Sequence, residues 1–295
     1  HVEYFSSPEE VAKEKAFLAR AVKKNGYVIV YADDNVSLSI ANEVRKKVMT
    51  YGFNDNCDLK ASNYIITYQA NGGTSHVSGV SFKVNFEGKS FPVRLRGVLG
   101  RQHVYSALGA LSVALSAGFN VLSAIEALDA HISPNGRMKL LGGIKNTTIV
   151  DDTYNSSPSA LAEALSSLGE VIPKGRKIAV LGDMRELGKY SRTAHLEAGR
   201  LASKVSDYIL TVGQLGREIA EGALSFGMSE SRVFQFEDSV SAGKRLQNLV
   251  EDGDMILIKG SQGVRMERVV LEIMDSPEGA SDLLVRQEPE WIRRD

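Results

Sequence analysis

The spacing of apolar residues changes along this chain of 295 residues. Near the start apolar residues recur every three or four positions, and later they alternate with polar ones, as Val80, Phe82 and Val84 do. The first spacing is typical of amphipathic helices and the second of an antiparallel β segment. In chain order we predict a helix over 8–22, a strand over 27–31, a helix over 35–49, the β segment over 60–95, and helices over 102–117 and 121–131.

Short apolar runs and helical patterns alternate after a boundary near Pro134-Asn135-Gly136. This alternation predicts a doubly wound α/β domain. The predicted strands lie at 147–150, 177–181, 207–212, 232–236 and 254–258, and the predicted helices at 158–169, 191–205, 215–226, 238–250 and 265–274. We therefore expect one domain over 1–135, a second over 136–276, and a charged, irregular tail over 277–295 in which Trp291 is a candidate for docking.

Composition excludes several classes of protein. Hydrophobic residues make up 43% and charged residues 24% of the chain, as in globular proteins. A net charge of −1 gives no overall field for nucleic acid. The single cysteine, Cys57, rules out an internal disulfide framework and fits a reducing, cytoplasmic location. No apolar run reaches the roughly 18 residues that a membrane helix needs, so we expect no membrane insertion.

Polar loops follow three of the predicted strands: Asp151 to Asn155, Gly182 to Gly188, and Lys259 to Gly263. In a parallel sheet wound with helices, such loops gather at the carboxyl edge of the strands, where ligands bind. The loops at the opposite edge, such as Pro173-Lys174-Gly175, are ordinary turns. This asymmetry predicts a ligand site at one edge of the sheet.

Each candidate motif has a second interpretation. The pair Asp151-Asp152 could hold a cation or a ribose diol, or Asp152 could begin a turn, and the residues alone leave the two even. Lys259 could bind an anion or be solvated. His195 is more often packed or exposed than catalytic.

Two glycine patterns mimic phosphate-binding loops. Gly88-Lys89-Ser90 lies between β segments, which favours a hairpin turn. The pattern from Thr211 to Gly216 lacks the first glycine of a dinucleotide fingerprint, which favours close packing of a helix on the sheet.

Taken together, these strings resemble the Mur ligase family, the ATP-dependent amide ligases of peptidoglycan synthesis. The resemblance extends from residue 1 to about 274 and is carried by His1-Val2-Glu3, Ala32-Asp33-Asp34, Gly100-Arg101, Gly136-Arg137-Met138, Asp151 to Asn155, Gly182 to Gly188, and Lys259-Gly260-Ser261. It implies the C-terminal part of an ATP-binding central domain followed by a Rossmann-like C-terminal domain.

The resemblance also implies a reaction. ATP phosphorylates a substrate carboxylate, and the amine of a dipeptide attacks the acyl phosphate. The implied cofactors are ATP and Mg²⁺, and the implied partners are a UDP-muramoyl peptide and D-alanyl-D-alanine. The phosphate loop Gly-x-x-Gly-Lys-Thr and a UDP-binding domain would belong to a missing N-terminal part, so the fragment alone is expected to be inactive.

The family's site residues map onto named positions. The implied metal ligands are His1 and a carbamylated Lys15, and both are implied in catalysis with Asp152. The implied nucleotide contacts are Arg137, Asp152, Asn155, Gln102 and His103, and the implied substrate contacts are Asp183, Glu186, Lys259 and Ser261. As a loop carboxylate, Asp152 is expected to add little to the core.

This chain departs from the family pattern at several positions. Gln102, His103 and Ser106 stand where relatives have His or Asn, Tyr31 replaces an Asn, and Gln262 replaces an Arg. Two other hypotheses therefore stay open. The chain could be a folylpolyglutamate or cyanophycin type of ligase, or a non-catalytic Rossmann-like binding module.

Overall fold

The structure is a computed structural model that describes residues 8–71 and 74–293. The chain divides into two compact units. The first takes the described residues up to Thr67 with Gly79–Arg96 and Arg101–Ile132, and the second takes Tyr68–Ser78, Gly97–Gly100 and the described residues from Ser133 onward. In the described ranges, every helix is too short or too polar to cross a membrane.

The first part of the chain forms a mixed sheet in the order β1-β2-β3-β4-β5. Its elements are α1 (Pro8–Ala21), β1 (Tyr27–Tyr31), α2 (Asn35–Glu43), β2 (Lys47–Gly52), β3 (Leu59–Asn71), β4 (Thr74–Phe86), β5 (Lys89–Arg96), α3 (Arg101–Ser116) and α4 (Val121–Asp129). Strands β1, β2 and β3 pair in parallel, and β4 pairs with β5 in antiparallel. The predicted antiparallel segment is confirmed by the pairing of β4 with β5.

The predicted helix over 35–49 is wrong in its second half. Helix α2 ends at Glu43, and the chain turns into β2, which pairs with β1 from Tyr27↔Lys47 to Tyr31↔Tyr51. β-branched and aromatic residues such as Thr50 and Tyr51 favour a strand when a neighbouring strand is available. Tertiary pairing therefore overrides the helical spacing.

The hairpin interpretation of Gly88-Lys89-Ser90 is confirmed. Phe86 pairs with Lys89 across the turn, which is the last pair of the β4–β5 ladder. The two turn residues, Glu87 and Gly88, have φ angles of 49° and 74°. Positive φ at both central positions is what a two-residue hairpin turn requires. This segment is not a phosphate loop.

The second unit contains the predicted doubly wound sheet. Its elements are β6 (Lys139–Gly143), β7 (Thr147–Asp152), α5 (Pro158–Glu170), β8 (Lys177–Gly182), α6 (Ser191–Ser203), β9 (Tyr208–Val212), α7 (Gly216–Ser225), β10 (Val233–Phe236), α8 (Ser239–Leu249), β11 (Met255–Lys259) and α9 (Glu267–Ile273). Strand β6 was not predicted, because its apolar part is only Leu140-Leu141; it pairs with β7 in antiparallel.

The strand order β10-β9-β8-β11-β7-β6 creates a switch point. The last strand, β11, inserts between β7 and β8 and is parallel to both. Helices α8 and α9 share a core with Ile178 and Ile256, and right-handed crossovers put α5, α6 and α7 on the opposite face. Loops after β7 and β11 therefore leave toward opposite faces and open a crevice between them, where ligands of such folds bind.

The tail is more ordered than predicted. It contains the short helices α10 (Ala280–Leu283) and α11 (Pro289–Ile292). Leu284 joins the hydrophobic core of the second unit, and Arg286 is buried. The predicted docking of Trp291 is confirmed by its contacts with two arginines described below.

Candidate functional site

The carboxyl ends of β7 and β11 bring Asp152 and Lys259 together. The two residues are direct neighbours in the strand register, and Lys259 Nζ donates to Asp152 Oδ2 at 2.6 Å. Nζ also donates to the carbonyl oxygen of Asn155 at 2.8 Å, and Asp152 Oδ1 accepts from the Met138 N–H at 3.2 Å. Only 3% of the Lys259 side chain is exposed. The predicted nucleotide contact and the predicted substrate contact thus form one buried ion pair.

This pair corrects two expectations. Lys259 is not a solvated lysine, since its ammonium group is buried. Asp152 was expected to add little to the core, but its loss would leave that buried ammonium without a counter-charge. Breaking a buried pair from one side costs about 3–5 kcal/mol.

Asp151 shapes the same loop from inside. It is fully buried and accepts hydrogen bonds from the Gly136 N–H at 3.1 Å and from the Thr153 N–H and Oγ1 at 3.2 and 2.6 Å. Burial raises the pKa of Asp151 to about 6, although the hydrogen bonds from Thr153 act in the opposite direction. Both carboxylate oxygens therefore serve protein donors and hold the loop against the segment that carries Arg137.

Arg137 and Tyr154 form an exposed stacked pair at the mouth of this loop. The Arg137 guanidinium carbon lies 4.0 Å from the centre of the Tyr154 ring, and the Tyr154 N–H donates to the Gly136 carbonyl at 3.1 Å. Gly136 has a φ of 67°, and a Cβ there would lie 2.8 Å from the Tyr154 nitrogen. A cavity of about 700 Å³ opens beside the pair and is lined by Arg137, Tyr154, Gln262, Gln287 and Trp291 among others.

Asp183 and Ser261 connect the loops after β8 and β11. The Ser261 N–H donates to the Asp183 carbonyl at 2.9 Å, and the Ser261 hydroxyl accepts from the Arg185 N–H at 2.8 Å. Burial raises the pKa of the Asp183 carboxyl. Both residues are buried, so their first role is to hold the loops together, whereas Glu186 is exposed and has a φ of 63°.

The carboxylate of Asp183 also lies against the glycine pattern from Thr211 to Gly216, which mimics a dinucleotide-binding loop. Its Oδ1 accepts from the Gly216 N–H at 2.8 Å, at the first residue of α7. A Cβ at Gly213 would lie 2.5 Å from the same oxygen. A protein carboxylate thus holds this loop. Gly216, at the start of α7, packs on Thr211 of β9, because a Cβ at Gly216 would lie 3.3 Å from the Thr211 Cβ, and this agrees with the packing interpretation of the glycine pattern.

His195 is a packed histidine of α6. It is completely buried, its Nε2 accepts from the Met184 N–H at 2.8 Å, and its Nδ1 donates to the Ser191 carbonyl at 2.7 Å. Since Nε2 must accept, the proton lies on Nδ1. Both nitrogens hold backbone in place, as the structural interpretation predicted.

Three further predicted site residues lie in the first unit. Lys15 is exposed on α1, and Gln102 and His103 are half-buried in the first turn of α3. His1 lies outside the described residues. Within 8–71 and 74–293 no three His, Cys, Asp or Glu side chains are grouped as a metal ion needs. The expected Mg²⁺ ligands, His1 and a carbamylated Lys15, fall outside that set and stay a prediction.

The acidic pair of the first unit has a different task. Asp34 caps α2 by accepting from the Ser37 N–H and Oγ at 2.8 and 2.6 Å, and these bonds lower its pKa. Asp33 accepts the N–H groups of Phe53 and Asn54 at 2.7 and 2.8 Å. Both carboxylates fix backbone turns.

Sequence reasoning missed an aromatic cluster and a buried ion cluster. Tyr31 contacts Tyr105 with ring centres 4.7 Å apart, and the Arg101 guanidinium lies 4.8 Å from the centre of Tyr64. The only signal for the aromatic cluster was that Tyr31 stands where the family has an Asn. The buried ion cluster joins Glu267 to Arg286 of the tail. The charged composition of the tail gave no signal for this cluster.

Two domain families match this chain. The Mur ligase middle domain matches residues 1–114, and the Mur ligase, glutamate ligase domain matches residues 136–262. The α/β unit with its switch-point loops is thus a ligase domain of this type. The chain belongs to the Mur ligase family.

Individual relatives share about a quarter to a third of their residues with this chain. It is 30% identical over 282 residues to UDP-N-acetylmuramoyl-tripeptide–D-alanyl-D-alanine ligase of Escherichia coli and 28% over 278 residues to that of Bacillus subtilis. Each alignment covers 94% of this chain, but only 58% and 57% of the relative. The chain thus spans somewhat more than half the length of the curated relatives it matches.

Solved structures show the same fold. MurF from Acinetobacter baumannii aligns with a TM-score of 0.76 and 23% identity over 91% of this chain and 56% of that one. MurF ligase from Thermotoga maritima in complex with ADP aligns with a TM-score of 0.74 and 24% identity over 92% and 58%.

Proposed function

We propose that this chain is part of an ATP-dependent amide ligase that adds D-alanyl-D-alanine to a UDP-N-acetylmuramoyl tripeptide in peptidoglycan synthesis. The names of the Escherichia coli and Bacillus subtilis relatives state this ligation. Because the chain spans 57–58% of them, the activity is proposed for a longer parent polypeptide that carries these residues. We place that enzyme in the cytoplasm, and we expect the 295-residue chain alone to be inactive.

The observation that carries the proposal is the buried ammonium of Lys259 at the switch point. A reaction through an acyl phosphate gathers negative charge, and a preorganised cation in a water-poor site stabilises such charge. An ammonium has three N–H donors. Among the described residues, Asp152 and Asn155 take two of them. We propose that the third donates to an anionic group of the ligand.

Arg137 and Tyr154 are proposed to hold the nucleotide. The guanidinium is fixed above the aromatic ring while both groups stay exposed beside the cavity. An arginine in this state can donate to a phosphate or sugar without first being ordered. Asn155, which is also exposed in this loop, is the next candidate.

The metal site stays a proposal for the parent polypeptide. Lys15 is exposed on α1, so carbon dioxide can reach its amine and form an N–C bond with loss of one proton. The resulting carbamate, with His1, would supply an oxygen and a nitrogen to Mg²⁺. We expect Lys15→Ala to lose most ligation and Lys13→Ala to retain it. Normal turnover of Lys15→Ala would exclude this role.

The test of the function is phosphate release by the parent polypeptide. It should require ATP, the UDP-muramoyl tripeptide and D-alanyl-D-alanine together. Arg137→Ala should weaken ATP binding roughly 10- to 150-fold, since a lost charged hydrogen bond costs about 1.5–3 kcal/mol. Arg217→Ala is a matched control, because Arg217 is 67% exposed and pairs with the surface residue Glu237. Phosphate release that does not depend on D-alanyl-D-alanine would refute the proposed reaction.

A further inference from the structure

A buried arginine of the tail reaches the loop that contains Tyr154. Only 4% of the Arg286 side chain is exposed. Its Nη1 donates to the Thr153 carbonyl at 3.0 Å and to Glu267 Oε2 at 2.9 Å, and its Nη2 donates to the Tyr154 carbonyl. The guanidinium therefore joins two consecutive carbonyl groups of the loop to a carboxylate at the start of α9.

Glu267 is itself fixed by a second arginine. It is 1% exposed, and its Oε1 accepts from Arg265 Nε at 2.5 Å. Arg265 and Arg286 both have a φ of 59°, in the left-handed region that residues other than glycine seldom adopt. Such backbone persists only where the surrounding contacts determine it. The ion pairs of both arginines with Glu267 are among the contacts that surround this backbone.

Further contacts attach the tail to Arg265 and to Asn135. The guanidinium carbons of Arg265 and Arg286 lie 5.4 and 5.8 Å from the Trp291 ring centre, and Arg265 Nη1 donates to the Trp291 carbonyl at 2.7 Å. Asn135 Nδ2 donates to the carbonyls of Asp282 and Leu284 at 2.9 and 3.2 Å. The tail is therefore attached to the Tyr154 loop and also to the segment that leads into Arg137.

We propose that Arg286 is a positioning residue for the nucleotide site: it fixes the backbone of Thr153 and Tyr154 and so holds the Tyr154 ring beneath Arg137. This inference rests on the proposed function, because the nucleotide is the ligand that Arg137 would hold. Tyr154 is 46% exposed, so packing alone does not fix its ring. Gln287 and Trp291, on the same tail, line the cavity beside the pair.

The first experiment needs no ligand and uses the whole chain. Hydrogen exchange of the backbone amides from Thr153 to Ser156 is measured in Arg286→Gln, in Arg286→Lys and in the control Arg217→Gln. We expect faster exchange by at least about tenfold in Arg286→Gln, partial rescue in Arg286→Lys, and no change in the control. Unchanged exchange in Arg286→Gln would overturn the proposal.

A second variant serves as a control for the case that Arg286→Gln does not fold. Arg286→Met combined with Glu267→Gln removes both charges of this ion pair together, and Arg265, whose side chain is 13% exposed, keeps the Trp291 carbonyl as an acceptor. We expect this variant to fold, with a far-ultraviolet circular dichroism spectrum like that of the wild type, and still to show faster exchange at Tyr154. If it folds and keeps the slow exchange, Arg286 is not the residue that fixes the loop.

The second experiment links positioning to the nucleotide in the parent polypeptide. Arg286→Lys should raise the KM for ATP about tenfold while kcat changes less than about twofold, because the reacting groups are untouched. A fall in kcat alone would indicate a structural defect and contradict the proposal. If the wild-type parent binds no ATP, the proposed function is wrong. The exchange experiment then still tests, by itself, whether Arg286 fixes the backbone of the Tyr154 loop.

Discussion

Two pairs of adjacent aspartates follow parallel strands, one in each unit. Asp33-Asp34 follows β1, and Asp151-Asp152 ends β7. Asp34 caps α2 and accepts hydrogen bonds from Ser37, which lower its pKa, whereas burial raises the pKa of Asp151 to about 6. The first pair fixes turns at the surface, and the second is buried beside a lysine. Burial, which the local sequence does not encode, decides which acidic pair can belong to a charged ligand site.

The largest expected difference between the pairs is in stability. Asp152→Asn should lower the free energy of unfolding of the second unit by about 3–5 kcal/mol, because the Lys259 ammonium remains buried without a counter-charge. Asp33→Asn should cost only about 1 kcal/mol, the value of an ordinary hydrogen bond. Urea unfolding of Asp152→Asn is followed by the fluorescence of Trp291, the only tryptophan of the chain, which lies in the second unit. Unfolding of Asp33→Asn is followed by far-ultraviolet circular dichroism, which also reports on the first unit. Equal losses in both variants would remove the contrast between the pairs.

The second largest expected effect is the pH dependence that Asp151 gives to the free energy of unfolding. The pKa of Asp151 rises from 3.8 to about 6 on folding, so the native state binds this proton more tightly. The stabilisation is complete below about pH 4 and is lost as the pH rises through about 6. The unfolding free energy of the wild type relative to Asp151→Asn should therefore increase by about 2–3 kcal/mol between about pH 7 and pH 4. A difference that does not change with pH would show that Asp151 is not held in this state.

The smallest effect belongs to the surface cap. Asp34→Ala should cost about 1 kcal/mol at about pH 7, the usual value of a helix N-cap. The pKa of Asp34 is lowered, so its contribution is present above 3.8 and lost as the pH falls through the lower value of the folded state. Urea unfolding followed by far-ultraviolet circular dichroism should therefore show the two proteins converging in acid. A gap that widens in acid would contradict the cap.

The sequence predicts the second unit better than the first. Each strand from β7 to β11 is bounded by turn residues, and the loops with Asp152, Asp183 and Lys259 do gather at one edge. Strand β2 was missed because its identity depends on pairing with β1. The ion pair was not predicted, since strand register, rather than spacing in the sequence, places Asp152 opposite Lys259. Arg286 was missed because charged tails give no periodic signal.

We expect the buried pair of Asp152 and Lys259 to serve the ligation by the parent polypeptide as well as the fold. The most direct measurement is ligation by a parent polypeptide that carries Asp152→Leu and Lys259→Met together. Replacing a buried ion pair with apolar residues is often neutral for stability, so the unfolding midpoint of the 295-residue chain with the same two substitutions, followed by Trp291 fluorescence, should stay near that of the wild type. Ligation of D-alanyl-D-alanine should nevertheless fall by about a hundredfold or more, because the preorganised cation is gone. A variant that is equally stable and ligates at the normal rate would contradict the account.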